Sequence, residues 1–203
     1  MTASSTPKLA PLKIRCTSSS CNEGLHSFRP SPKMRSANEQ GHCRSCGEEL
    51  IDWDRLHRRD ASDVSFTFAS LQRELIRHHF WHVDIDVRAV DYARRKGTLG
   101  LRDAARKIIR RSVGPAHPFR DGYQTPREGS RNPVHYAQHA TASCCRKCVE
   151  EWYGIPEGRA LTDDEVNYLT ELARLYLLER LPPLTDEGET VPPRRTRDSS
   201  ETQ

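Results

Sequence analysis

The stretch HYAQHATASCCRKC, residues 135–148, places two histidines and three cysteines in one short run: His135-x3-His139-x4-Cys144-Cys145-x2-Cys148. Thiols this close deliver several ligands to one tetrahedral ion from a single turn. Cys145-x2-Cys148 is the best ligand pair, set on a knuckle at the start of a helix. His139 is the best third ligand, and Cys144, His135 or His117 can supply the fourth. Four protein ligands make a closed, structural zinc site. Three leave a position for water, whose pKa zinc lowers toward about 7. In that case Asp121, Gln124 and Asn132 on the preceding loop would position a substrate. Without metal, Cys144 would be a nucleophile and His139 its base, with Arg146 and Lys147 favouring the thiolate.

The other four cysteines form a second cluster far upstream, Cys16-x4-Cys21 followed by Cys43-x2-Cys46. This is a complete four-thiolate set, and two turn-borne pairs at this separation suit a zinc ribbon of short antiparallel strands. Gly47 fits the knuckle turn. His26 is an alternative to one of the thiols. The surrounding residues, 12–60, are poor in apolar side chains, so metal–sulfur bonds would have to drive their folding. Arg15, Arg29, Lys33, Arg35 and Arg44 offer this module as a knob for nucleic acid or protein.

Composition agrees with a metal-assisted fold. The 203 residues are 35% hydrophobic and 30% charged, which is polar for a globular chain. Residues 1–11 have no apolar run of signal-peptide type, and no stretch approaches the roughly 20 apolar residues of a membrane span. A cytoplasmic protein is expected, and in a reducing compartment paired cysteines read as metal ligands rather than disulfides.

Apolar spacing turns helical from Ser62. Val64, Phe68, Leu71, Leu75 and His79 form one stripe, with Asp63 as N-cap. His78 and His82 lie four apart and read as a polar helix end. A second helix is predicted from Asp86 to Lys96, stopped by Gly97, and a third from Thr98 to Gly114. Residues 114–134 read as a long Pro/Gly loop leading into the cysteine cluster. Thr162-Asp-Asp-Glu165 is a capping box. It opens a last helix with Val166, Leu169, Ala173, Tyr176, Leu177 and Leu181 inward, ended by Pro182-Pro183.

The formal net charge of +4 is unevenly spread. Nine basic residues face two acidic ones over 88–111, and eleven acidic face three basic over 149–190. Arg94, Arg95, Lys96, Arg102, Arg106, Lys107 and Arg110 make a candidate phosphate-tracking surface. The alternative is an internal dock for the acidic segment.

From about Tyr92 to Glu165 the chain resembles a bacterial family catalogued as domain of unknown function 4186. The resemblance rests on Lys96-Gly97, Pro115-Ala116, Asp121-Gly122, Gln124-Thr125-Pro126, Ala137-Gln138-His139-Ala140-Thr141-Ala142 running into Cys144-Cys145-x2-Cys148, Trp152, Gly154-Ile155-Pro156, Gly158 and Leu161-Thr162. The chain departs from it at Asn132, where the pattern has a histidine. The resemblance implies a shared His/Cys site and no particular activity.

The expected architecture is mainly α. Residues 1–11 are a disordered start, 12–60 a small zinc ribbon of short β hairpins, 61–183 a helical domain with a His/Cys zinc knuckle, and 184–203 a disordered tail. Two zinc ions are expected, held by Cys16, Cys21, Cys43 and Cys46 and by His139, Cys144, Cys145 and Cys148. The expected role is a nucleic-acid-binding or regulatory module. The alternatives are a zinc-dependent hydrolase or nuclease, with Asp121, Gln124, His139 and Cys144 as its candidates, and a protein–protein adaptor.

Overall fold

The structure, a computed structural model, describes residues 14–37, 39, 41–122 and 130–192. Eight α-helices are present among them: α1 (Pro32–Ser36), α2 (Trp53–His57), α3 (Val64–Leu71), α4 (Leu75–His82), α5 (Val87–Ser112), α6 (Pro133–Ala140), α7 (Arg146–Tyr153) and α8 (Asp163–Arg180). The molecule is mainly helical. Its β content is confined to single bridges, Ser20 with Leu25, His26 with Glu74 and His42 with Glu49. Two of them close the turns that carry Cys21 and Cys43, which is the hairpin expectation reduced to its minimum.

The central helix is α8. Its start is the predicted capping box: Thr162 Oγ1 accepts from Glu165 N, and the Glu165 carboxylate accepts from Thr162 N. Two orphan amides are thereby satisfied. Val166, Leu169, Leu172, Ala173, Tyr176 and Leu177 are buried along its length. The helix packs on α5 and α6, and α6 packs on α4. Small side chains on α5, Ala89, Ala93 and Ala105, are fully buried and let the helices approach closely.

Gly97 breaks α5 as expected (φ 64°, ψ 178°). Residues 185–189, expected to belong to a disordered tail, instead lie against this break. Thr98 N and Leu99 N donate to Thr185 O and Asp186 O, and Glu189 N donates to Arg94 O. A Cβ on Gly97 would stand 2.2 Å from Gly188 N, so the crossing demands glycine. The kink frees backbone amides that something must satisfy, and the segment after Pro183 does so.

The single stripe predicted from Val64 to His79 is two helices. The chain turns at Gln72–Glu74, where His26 N donates to Arg73 O and Leu75 N donates to His26 O. Asp63 supplies no side-chain cap and instead makes a bidentate ion pair with Arg55, at 2.6 and 2.7 Å.

The N-terminal part shares the helical core rather than standing apart from it. Phe28, Trp53 and Trp152 meet edge-on or tilted, with centroids 5.4–5.8 Å apart. Such aromatic pairs contribute about 0.5–1.5 kcal/mol each beyond area burial. No helix among the described residues is long and apolar enough to cross a membrane.

Candidate metal centres

Two clusters of metal-ligating atoms emerge, and neither has the membership the spacing suggested. In the first, Cys21, His26, Cys43 and Cys46 bring their ligand atoms within 4.8 Å of one another. Cys16 is not among them and His26 takes its place. The edges fit a zinc tetrahedron. Zn–S bonds of about 2.3 Å and Zn–N bonds of about 2.0–2.1 Å imply S···S edges near 3.8 Å and S···N edges near 3.6 Å. The Cys21–Cys43 sulfurs stand 3.7 Å apart, and Cys46 Sγ stands 3.5 Å from His26 Nδ1.

Local chain geometry explains this set. Cys43 N donates to Glu48 O and Gly47 N to Cys43 O, closing a knuckle in which Gly47 has φ 77°. Burial opposes ionisation of Cys43, but backbone hydrogen bonds involving Cys46, Ser27 and Ser45 outweigh it and bring the thiol down to about 6. His26 is buried and its backbone is clamped by the α3–α4 turn. The spacing Cys21-x4-His26 was the signal available for it.

In the second cluster Cys144, Cys145 and Cys148 place their sulfurs within 4.8 Å of one another. Cys144 and Cys148 are 3.7 Å apart, again a tetrahedral edge. Cys145 is the N-cap of α7, its sulfur accepting from Cys148 N, so the knuckle does sit at a helix start. Cys144 and Cys148 are only 3% and 1% exposed, which argues for a closed centre.

His139 lies outside this cluster. Its ring packs 4.4 Å from Phe80, and Nε2 is buried without a partner. Burial, reinforced by the nearby Arg77 charge, holds the imidazole down to about 3. It therefore stays neutral, and its ring nitrogens are not gathered with the three sulfurs. His135 and His117 are not members of either cluster.

The residue that reaches the thiols is Arg77, which the sequence did not single out. It is 1% exposed. Nε donates to Glu74 at 2.9 Å, Nη1 to His139 O at 2.7 Å, and Nη2 to Cys148 Sγ at 3.2 Å. Its longer contact is to Cys144 Sγ at 3.9 Å. Glu74 also accepts from Trp152 Nε1 at 3.0 Å. A buried guanidinium is tolerable only with such partners, and it favours sulfur in the thiolate form a metal needs. The Glu74-x2-Arg77 spacing was the one available hint.

Arg146, expected to support the thiolate, points elsewhere. It donates to the carbonyls of Val113, Pro156 and Arg159 at 2.7–3.0 Å. Asp121 accepts from Arg146 N at 2.9 Å and so tethers the start of α7. Asn132 caps α6, accepting from Val134 N at 3.0 Å. Gln124 lies outside the described residues. Gln138 donates to Ser112 Oγ and Ser143 O. Thr141 donates to Ala137 O, and the Tyr153 hydroxyl donates to Thr141 O. The polar residues of the 137–143 block thus shape the loop that presents Cys144.

The basic candidates divide into two groups. Arg94 pairs with Glu189, Arg110 with Asp163, and Arg106 donates to Asn167. Arg95, Lys96, Arg102 and Lys107 are exposed and make no ion pair among the described residues, and Arg111 joins them. Lys96 lies over the Tyr92 ring.

A family model described as a domain of unknown function, DUF4186, matches residues 65–178, more than half of the chain. No solved structure matches.

Proposed function

Because the chain belongs to the DUF4186 family, whose description carries no activity, we propose its role from geometry: a zinc-scaffolded module that binds nucleic acid through the outer face of α5. The observation that carries this reading is the set of unpaired cations left after internal pairing is counted. Arg102, Lys107 and Arg111 sit on the exposed side of α5 beyond Gly97, with Arg95 and Lys96 before it. At 1.5 Å rise and 3.6 residues per turn, positions 102 to 111 span about 14 Å, with Lys107 and Arg111 on one stripe and Arg102 on the opposite flank of the exposed side. Pairing of Arg94, Arg106 and Arg110 removes them from the recognition set and gives them a positioning role.

Both zinc centres then serve as scaffold. The second is buried and backed by a hydrogen-bonded arginine, which suits a closed site better than a hydrolytic one. Seven free thiols support residence in a reducing compartment, the cytoplasm.

The test is binding of the zinc-loaded full chain to duplex DNA and to RNA across a salt series. Affinity should fall as a power of salt concentration, with a slope of roughly 0.9 per phosphate neutralised on a duplex. Arg102→Glu, Lys107→Glu and Arg111→Glu together should weaken binding by at least about tenfold and leave the helical spectrum unchanged. Absent or salt-insensitive binding overturns the reading, and capture of a defined protein partner in its place would favour an adaptor.

A further inference from the structure

We propose that Cys16 is the fourth ligand of the second metal centre, completing a Cys16/Cys144/Cys145/Cys148 zinc site that fastens the N-terminal segment to the helical domain. The first centre is complete without it, since Cys21, His26, Cys43 and Cys46 already supply four ligand atoms at tetrahedral spacing. Cys16 is outside that group, and its thiol instead interacts with Cys148, although it does not stand within 4.8 Å of all three downstream sulfurs. All seven thiols are free. With His26 they make eight ligands, two closed sets with none left over.

The surroundings of Cys16 are those of the three downstream thiols. Arg77 acts on Cys16, Cys144 and Cys148, and Arg29 on Cys16, Cys145 and Cys148. Four thiolates around one divalent zinc carry a net charge of −2, and two arginines facing the same group offset that charge where water is scarce. The backbone is held for the purpose. The Ser27 hydroxyl, fully buried, donates to Cys16 O at 2.9 Å. Ile14, two residues earlier, lines a cavity with Leu75 and His82 of α4 and with Val83 just after it.

This ligand set has a folding consequence. The second site takes one ligand from the N-terminal segment, two from the α6–α7 turn and one from the first turn of α7, and the whole first site lies within the loop it closes. A metal clip over a loop this long removes much freedom from the unfolded chain. The N-terminal module and the family domain then form one metal-dependent unit.

Stepwise zinc removal from the parent protein, with trapping of released thiols, tests this without relying on any variant. A chelator is titrated in, freed thiols are alkylated, and mass spectrometry assigns them. Two zinc ions per chain are expected, and Cys16 should become reactive in step with Cys144, Cys145 and Cys148. Cys21, Cys43 and Cys46 should react together in the other step. Release of Cys16 with the latter group, or before either, overturns the proposal. So does a Cys16–Cys148 disulfide in the zinc-loaded protein, or fewer than two zinc ions per chain. A second arm uses cobalt. Cys16→Ser and Cys148→Ser should each lose one metal and leave the same residual spectrum, that of the Cys21/His26/Cys43/Cys46 centre. A Cys16→Ser spectrum matching Cys43→Ser, or retention of both metals, equally overturns it.

Discussion

The two candidate metal centres are both built mainly from thiols, the first with a histidine among them, but they sit in different surroundings. The first lies on turns near the surface, with Cys46 exposed and Cys21 half-buried over the buried Cys43 and His26, and with backbone hydrogen bonds as support for Cys43. The second is enclosed by α4, α6 and α7, with Cys144 and Cys148 buried against a guanidinium that is itself sealed from solvent. Short turns can assemble a site anywhere on a surface. A site in the core must also have its charge balanced by neighbours, so its ligands, Arg77 and Glu74 form a single unit in which no member is replaceable alone.

The largest expected effect separates the centres directly. Cys148→Ser should remove one zinc and lower the stability of the still-folded helical domain by several kcal/mol, since zinc binding there is folding free energy. Cys46→Ser should also remove one zinc but leave most of that stability in place. Equal losses of stability from the two variants would break the comparison. Next comes Arg77→Met, which keeps the volume but leaves Glu74 charged and buried. A loss of about 3–5 kcal/mol in denaturant unfolding is expected, together with weaker retention of the second zinc against chelators. A variant as stable as the parent would show that Glu74 and the thiols do not need the cation.

A smaller effect concerns His139. Replacement by Leu should leave two zinc ions per chain and change stability near neutral pH by less than about 1.5 kcal/mol. Its ring is held neutral, with a pKa lowered to about 3. The unfolded imidazole takes up a proton near 6.5, so the unfolded chain binds more protons below that pH. Stability contributed by the neutral ring is therefore present above about 6.5 and is lost as pH falls toward 3. Between pH 8 and pH 5.5 the parent should lose about 1 kcal/mol that His139→Leu does not lose. Loss of a zinc from His139→Leu would restore the histidine to the ligand set. The smallest effect is at the surface. Asp163→Asn breaks an exposed pair with Arg110 and should not move the melting midpoint measurably, while adding one free cation to the α5 face.

Much of the helical scaffold was legible because it rests on local chemistry. The capping box at Thr162, the helix start near Asp86, the stop at Gly97 and the inward stripe of α8 each follow from residues within one or two turns of each other. The stripe from Val64 to His79 misled because periodicity does not record an interruption imposed from outside. The turn at Gln72–Glu74 is paired with the His26 backbone, nearly fifty residues away in sequence. The tail likewise read as disordered on composition, yet part of it is held by amides that only the α5 break exposes.

What the sequence by itself determined is the chemistry: seven thiols and one well-spaced histidine, enough for two tetrahedral ions, carried on turns and a helix start. What only the tertiary structure decided is the allocation. Cys16 is five residues from Cys21 and more than a hundred from Cys148, yet it is left out of the Cys21 group and its thiol interacts with Cys148. His139 is five residues from Cys144, yet its ring faces Phe80 while its carbonyl serves Arg77. Spacing fixes which ligands a single turn can deliver to one point. Which turns meet at that point is set by helix packing, and burial then selects the cation that balances their charge.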